Sequence, residues 1–187
     1  MQSPESIADE IISLFQQFGE HEYAGEQVTQ LQHMYQAAQL AAAEQAGDDI
    51  ILAAFLHDIG HICVQADADN QMDGFGTVDH EAIGAAYLSN RGFSKKVVRL
   101  VQSHVDAKRY LTARDAAYKA RLSEASKKTL EYQGGPMTPE EADLFEKDPY
   151  FSDIIRMRLW DEAAKEVDQP AGNPGDFRTM IIQHLTR

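Results

Sequence analysis

An all-α fold is predicted by three features of this sequence. Apolar residues recur at helical spacing through most of the chain, proline caps and glycine stops punctuate those stretches, and no convincing alternation of strand type is present. Ser3-Pro4-Glu5 followed by Ile7, Ile11, Ile12 and Phe15 reads as an N-cap, a proline in the first turn and an apolar stripe, ending near Gly19. His21-Glu22-Tyr23-Ala24-Gly25-Glu26 is polar and glycine-containing, which places Tyr23 and Glu26 in a loop. A second helix is predicted over 29–46, carrying His33 in its first turns and stopping at Gly47. Asp48 or Asp49 is the expected cap of a third.

Residues 62–79, with Asp67, Asp69, Asp73, Gly74 and Gly76, form the longest non-periodic segment and read as a surface loop. Helices follow over about 79–90, with His80 at the start, and 94–105, with His104 near the end. Further helices are predicted over 106–120, 123–133, 139–147 behind the Thr138-Pro139 cap, 150–165 and 176–186. With no repeat, low-complexity tract or Pro/Ser-rich linker, residues 1–187 are expected to form a single domain.

Thirty acidic against seventeen basic residues give a formal charge of −13 and a sequence pI near 4.8. A nucleic-acid backbone or an anionic membrane would be repelled, so neither is an expected partner, while a small anion in a local basic pocket is compatible. No apolar run of membrane-spanning length and no signal-like leader is evident, and a soluble protein retained in the cytoplasm is expected. The one cysteine, Cys63, has no internal disulfide partner and reads as a small buried hydrophobe.

The chemistry concentrates at Ala53-Ala54-Phe55-Leu56-His57-Asp58-Ile59-Gly60-His61. Everything from Ile50 to Leu56 is apolar, so a helix buried on nearly all sides runs into a histidine and an aspartate. Buried charge is costly unless paired or bound to a metal. Adjacent residues lie about 100° apart on a helix, which lets an imidazole and a carboxylate flank one ion and leaves the second carboxylate oxygen free to bridge. The other candidate ligands, His33, His80, His104 and Asp161, each lie on a different predicted helix or helix end. Any one of these histidines alone is more often a core residue than a ligand; the set carries the signal. His21 and His184 lack such context and are read as solvated, as are Arg109, Lys127 and Lys128.

This arrangement resembles the HD-domain superfamily, whose His, then His-Asp, then late Asp pattern is matched by His33, His57-Asp58 and Asp161, with His80 and His104 matching its bimetallic members. The resemblance implies an HD-domain helical bundle with a dinuclear site at its centre. One ion would be held by His33, His57, Asp58 and Asp161, the other by His80, His104 and a shared Asp58. A closer resemblance is to the PhnZ family of mixed-valent di-iron oxygenases. It is carried by Tyr23-x-x-Glu26, by His104-Val105-Asp106-Ala107-Lys108-Arg109-Tyr110-Leu111, and by the stretch from Leu122 through Leu130-Glu131-Tyr132-Gln133-Gly134-Gly135-Pro136-Met137.

That resemblance implies two iron ions (Fe2+/Fe3+) and O2-dependent cleavage of the C–P bond of a 1-hydroxy-2-(trimethyl)aminoethylphosphonate. The products would be glycine or glycine betaine and inorganic phosphate, with an Fe/2-oxoglutarate hydroxylase supplying the hydroxylated substrate. Tyr23 would occupy an open iron position in the resting state, and Glu26 would help to swing it away. For the phosphonate, Lys108 four residues after His104, His61 four after His57, Arg158 three before Asp161, and Ser126 are the candidates. Glu26 is also available to a substrate amine, and Tyr23, Tyr35, Phe75 and Tyr110 to a quaternary one. Ligand types alone do not separate this from a metal-dependent HD phosphohydrolase of a small phosphoester, and a helical scaffold with a structural metal is the third reading.

Overall fold

The computed structural model describes residues 2–23, 25–63 and 77–187. These form ten α-helices: α1 (Pro4–Phe18), α2 (Gln30–Ala43), α3 (Asp48–Leu56), α4 (His80–Ser89), α5 (Lys95–Arg114), α6 (Ala116–Arg121), α7 (Glu124–Tyr132), α8 (Pro139–Phe145), α9 (Phe151–Ala163) and α10 (Arg178–Leu185). Short 3-10 turns cover Ile59–His61 and Pro174–Phe177. An isolated β-bridge pairs Glu22 with Thr29. None of the helices described is long and apolar enough to cross a membrane.

The bundle is built around α3. Leu52, Ala53, Ala54, Phe55 and Leu56 are fully buried, and the helix packs against α2, α5 and α9. Alanines at 37, 38 and 41 on α2 let the α2 and α3 backbones approach closely. Phe55 stacks between Phe15 of α1 and Phe177 of the second 3-10 turn, at centroid distances of 4.5 and 3.9 Å, tying both ends of the chain to the central helix.

Several boundaries differ from the predicted ones. The N-cap of α3 is Gly47, and Asp48 and Asp49 are its first helical residues, where their charge meets the positive end of the helix dipole. Helix α2 ends at Ala43 because Gln45 turns left-handed (φ 56°), which returns the Ala46 N–H to the Ala41 carbonyl. The helices expected over 94–105 and 106–120 are one twenty-residue helix, α5, since nothing between Lys95 and Arg114 breaks it. Asp115 makes the break, its carboxylate accepting from the Ala117 and Tyr118 N–H groups. The loop expected over 62–79 falls largely outside the described residues, with Asp67, Asp69, Asp73, Gly74, Phe75 and Gly76; Ala24 lies outside them too.

His184 and Arg109 are not solvated. His184 is buried between the Asp49 carboxylate and the Ser94 N–H, 3.0 Å from each, and clamps α10 to the starts of α3 and α5. Arg109 donates to the Gly135 carbonyl at 3.0 Å and pairs with Glu141, while its own carbonyl accepts from Met137. These bonds fold the Gln133-Gly134-Gly135 turn, whose glycines have φ of 91° and 73°, back onto α5.

Candidate metal centre

Six side chains converge where α2, α3, α4, α5 and α9 meet. His33 comes from the second turn of α2, His57 and Asp58 from the end of α3, His80 from the start of α4, His104 from mid-α5 and Asp161 from the last turn of α9. All are at most 5 % exposed. Asp58 lies at the centre with its two oxygens divided between two histidine pairs. Oδ2 is 3.5 and 3.4 Å from the Nε2 atoms of His33 and His57, and Oδ1 is 3.2 and 3.1 Å from those of His80 and His104. Asp161 Oδ1 joins the first pair, 3.3 Å from His33 and 3.7 Å from His57.

The hydrogen bonds behind these rings decide what the cluster can hold. The Nδ1 atoms of His33, His57, His80 and His104 face the carbonyls of Ala164, Ala54, Thr77 and Val101 at 2.9, 2.8, 3.1 and 2.7 Å. A carbonyl only accepts, so each ring carries its proton on Nδ1 and turns an Nε2 lone pair inward. Yet His33 and His57 bring those lone pairs to 3.0 Å, and so do His80 and His104. Asp58 Oδ1 and Asp161 Oδ1 are buried without a hydrogen-bond donor among the described residues. Inward lone pairs and orphan carboxylate oxygens fit two cations sharing Asp58, with the carbonyls fixing ring orientation from behind.

The electrostatics agree. Burial opposes charge on Asp58 and Asp161, but His57 for the first and Arg158 for the second outweigh it and hold both carboxyls well below their usual range. Burial likewise opposes a proton on His33, yet Asp161 and Asp58 push its pKa up to about 9. The cluster recruits positive charge, a proton where no metal is present.

His61 behaves differently. Helix α3 ends at Leu56, so the expected same-face relation to His57 does not exist; the 3-10 turn carries His61 inward, stacked on His80 at a centroid distance of 4.0 Å. Its Nδ1 accepts the Thr77 N–H at 3.1 Å, which leaves the ring proton on Nε2. Although Asp58, His61 and His80 are close enough together to share an ion, His61 thus presents a donor where the other four present lone pairs. Burial, reinforced by neighbouring His80, keeps its pKa well below the usual histidine range, so the donor is neutral. The turn fits because Gly60 lies against α4: a Cβ there would sit 1.9 Å from the His80 carbonyl oxygen.

A cavity with about 40 Å³ of free space opens beside the cluster, walled by Tyr23, Glu26, Asp58, His61, His80, His104, Lys108, Ser126 and Arg158, together with Gln30, Val105, Ala125, Thr129 and Gln133. Tyr23 stacks on His33 at 3.9 Å, and burial beside Asp58 and Asp161 raises its phenol well above the usual value. Lys108 is buried and donates to Thr129 Oγ1 at 2.9 Å; burial, then the charge of Arg158, lowers its pKa to about 7. Three nitrogens of Arg158 are engaged by Tyr118, Asp161 and Glu162, so it orients the Asp161 carboxylate. Glu26 Oε1 accepts from the Ser123 hydroxyl at 2.6 Å and pairs with Lys165 at 3.1 Å.

Lys165 also donates to Ser126 Oγ at 3.1 Å, joining the Tyr23–Glu26 loop to α7. The sequence assigns no role to Lys165 or Gln30, and it carries Thr129 and Gln133 only as part of the stretch that resembles the oxygenase family; for Lys165 an Asp-x-x-x-Lys spacing from Asp161 is the one local signal. Tyr35 packs on Phe177 and bonds Asp176, and Tyr110 bonds Glu146, so neither lines the cavity; Phe75 is outside the described residues. Cys63 is half-buried, with burial pushing its thiol up to about 11.

Fold and cluster together define a helical protein of HD type with a site that could hold two metal ions. The HD domain family matches residues 31–148. The uncharacterized protein L432 of Acanthamoeba polyphaga mimivirus is 42 % identical over 176 residues, covering 94 % of this chain and 80 % of that protein. The [1-hydroxy-2-(trimethylamino)ethyl]phosphonate dioxygenase (glycine-betaine-forming) of Leisingera caerulea is 40 % identical over 176 residues, 94 % of this chain and 89 % of that enzyme. The hydroxymethylphosphonate dioxygenase of Gimesia maris is 40 % identical over 161 residues, 84 % and 79 % of the two chains. The chain belongs to the HD-domain family and, within it, to the PhnZ-like oxygenases.

Proposed function

We propose that this oxygenase cleaves the C–P bond of a small 1-hydroxyphosphonate, using two iron ions shared across Asp58. The observation that carries the dinuclear part is the division of the Asp58 oxygens between two histidine pairs. His33, His57, Asp58 and Asp161 would hold one ion, and His80, His104 and Asp58 the other. Iron suits this thiolate-free donor set and, when bound, supplies O2 activation and the electron transfers of the oxidation. The phosphonate reading is supported by the two dioxygenase relatives and by a cavity that gathers cationic and neutral donors inside an acidic protein.

In this reading His61 Nε2–H, Lys108 and Ser126 receive the phosphonate oxygens, with Thr129 positioning the Lys108 ammonium and Arg158 holding Asp161 in place. Tyr23, stacked over His33, covers the site until substrate enters, and Glu26 sets the position of its loop. The buried wall excludes water while C1 is oxidised. The reaction balances with one O2 per substrate: C1 becomes a carboxylate carbon, the C–P bond breaks, and phosphorus leaves as inorganic phosphate. A hydroxylating reaction upstream, of the Fe/2-oxoglutarate type, would supply the C1 hydroxyl.

The test is simultaneous measurement of O2 uptake and phosphate release by iron-loaded protein. One O2 consumed per phosphate released, with none released anaerobically, is the expected result. Anaerobic hydrolysis of a phosphoester by the Mn or Zn form, without O2-dependent release from any 1-hydroxyphosphonate, would overturn the reading in favour of a phosphohydrolase.

A further inference from the structure

One ammonium ties three separate parts of the chain together beside the cavity. Lys165 lies just past the end of α9, its side chain 15 % exposed, with Nζ 3.1 Å from Glu26 Oε1, 3.1 Å from Ser126 Oγ and 3.0 Å from Glu162 Oε1. Three acceptors match the three donors of an ammonium. They come from the segment before α2, from α7 and from α9 itself. Ser123, the N-cap of α7, closes the set: its hydroxyl oxygen accepts the Ser126 N–H at 3.0 Å, and its proton goes to the same Glu26 oxygen at 2.6 Å.

Helix α7 is the wall that such a tie would hold. Ala125, Ser126, Thr129 and Gln133 line the cavity from it. Its apolar side chains pack in a small core of their own, Tyr118, Leu122 and Leu130 with Leu111 beside them, apart from the main core around α3. The bonds that fasten α7 across the cavity are polar: Lys165 and Glu26 at its first turn, Lys108 on Thr129 in its middle, and Arg109 on the Gly135 carbonyl past its end. The free space of about 40 Å³ is room for roughly three water molecules, fewer than the heavy atoms of any 1-hydroxyphosphonate, so a wall must shift for one to enter.

We propose that Lys165 is a positioning residue, a latch that holds the first turn of α7 and Glu26 against the end of α9, and that its release opens the cavity for entry and exit. The proposal rests on the oxygenase reading only for what passes through the opening. A latch of this kind acts on the population of the open state, so loosening it speeds association and dissociation together and leaves affinity nearly unchanged. Lys165 acting only through Glu162 and Arg158 on Asp161 would instead change metal binding.

Hydrogen–deuterium exchange of the metal-loaded protein tests the latch, with α3 as the internal reference. In wild type α7 should exchange at least about 10-fold faster than α3, as a locally opening segment does. Lys165→Met, which removes all three bonds, should speed α7 by a further factor of about 10 and change α3 less than about 2-fold. Lys165→Arg keeps the charge and the donors and should stay within about 3-fold of wild type. In stopped-flow with methylphosphonate, Lys165→Met should raise the on-rate and off-rate about 10-fold each, with Kd within about 3-fold and two metal ions still bound per chain.

Equal protection of α7 and α3 in the wild-type protein would overturn the proposal even if the methionine variant failed to fold. So would a Lys165→Met variant whose α7 exchange is unchanged, or one that loses a metal ion while the methylphosphonate rates stay as they were. An arginine variant as loose as the methionine one would also overturn it, since charge and donors would then not be what holds α7. None of these readouts needs turnover: absence of O2-dependent phosphate release defeats the oxygenase reading and leaves the latch standing.

Discussion

Replacing Asp58 by Asn removes one charge and little volume at the atom pair on which the dinuclear account depends. Each carboxylate oxygen lies 3.1–3.5 Å from two imidazole Nε2 atoms. At an effective dielectric constant of about 20, a unit charge pair at such separations is worth roughly 5 kcal/mol before desolvation is counted. The asparagine keeps one oxygen and turns an NH2 group toward the other histidine pair, so one pair gains a donor where it had a ligand. Allowing half the Coulomb figure to be offset by relaxation, the weaker ion should be lost with an affinity drop of about 100-fold, and metal content should fall from two ions per chain to one. Elemental analysis after dialysis against a calibrated chelator reads both quantities, with circular dichroism confirming retained helix. A variant that still holds two ions, with affinities within about 3-fold of wild type, would refute Asp58 as the shared ligand.

Other consequences follow from single residues. Lys108, with its pKa lowered to about 7 by burial, is protonated below that pH and neutral above it. The kcat/KM for phosphonate should therefore fall about tenfold per pH unit on the basic side of 7, while kcat, measured with the anion in place, holds to higher pH; Lys108→Met should lose that limb. Gly60→Ala forces α4 away from the 3-10 turn because the new Cβ meets the His80 carbonyl at 1.9 Å. About 1–3 kcal/mol of stability should be lost in denaturant titration, together with weaker binding of one ion. Cys63→Ala should leave turnover within about 2-fold, since burial keeps the thiol protonated up to about 11; inactivation would reopen a role for it.

The apolar run from Ile50 to Leu56 ending in His57-Asp58 made the centre of the fold legible from sequence, because burial leaves those two residues few roles besides metal binding. The cluster geometry brings together His33, His80, His104 and Asp161 around them, although each sits on a different helix. What the sequence hid depends on long-range neighbours. His184 looks solvated until Asp49, 135 residues away, is placed against it, and Arg109 until the Gly135 carbonyl arrives. Gln30 and Gln133 are ordinary surface residue types that the fold turns into the cavity wall, and Lys165 gains its place from Glu26 and Ser126, distant in sequence. The i, i+4 spacing of His61 from His57 predicts a shared helix face, whereas His61 reaches the site through a 3-10 turn and the Thr77 N–H selects its tautomer.

The most direct measurement is electron paramagnetic resonance, paired with Mössbauer spectroscopy, of iron-loaded protein before and after addition of small 1-hydroxyphosphonates. The account predicts a spin-coupled Fe(II)/Fe(III) pair whose signal shifts when the substrate binds, and which is absent in Asp58→Asn. Two uncoupled iron sites, or a signal indifferent to every 1-hydroxyphosphonate, would contradict it.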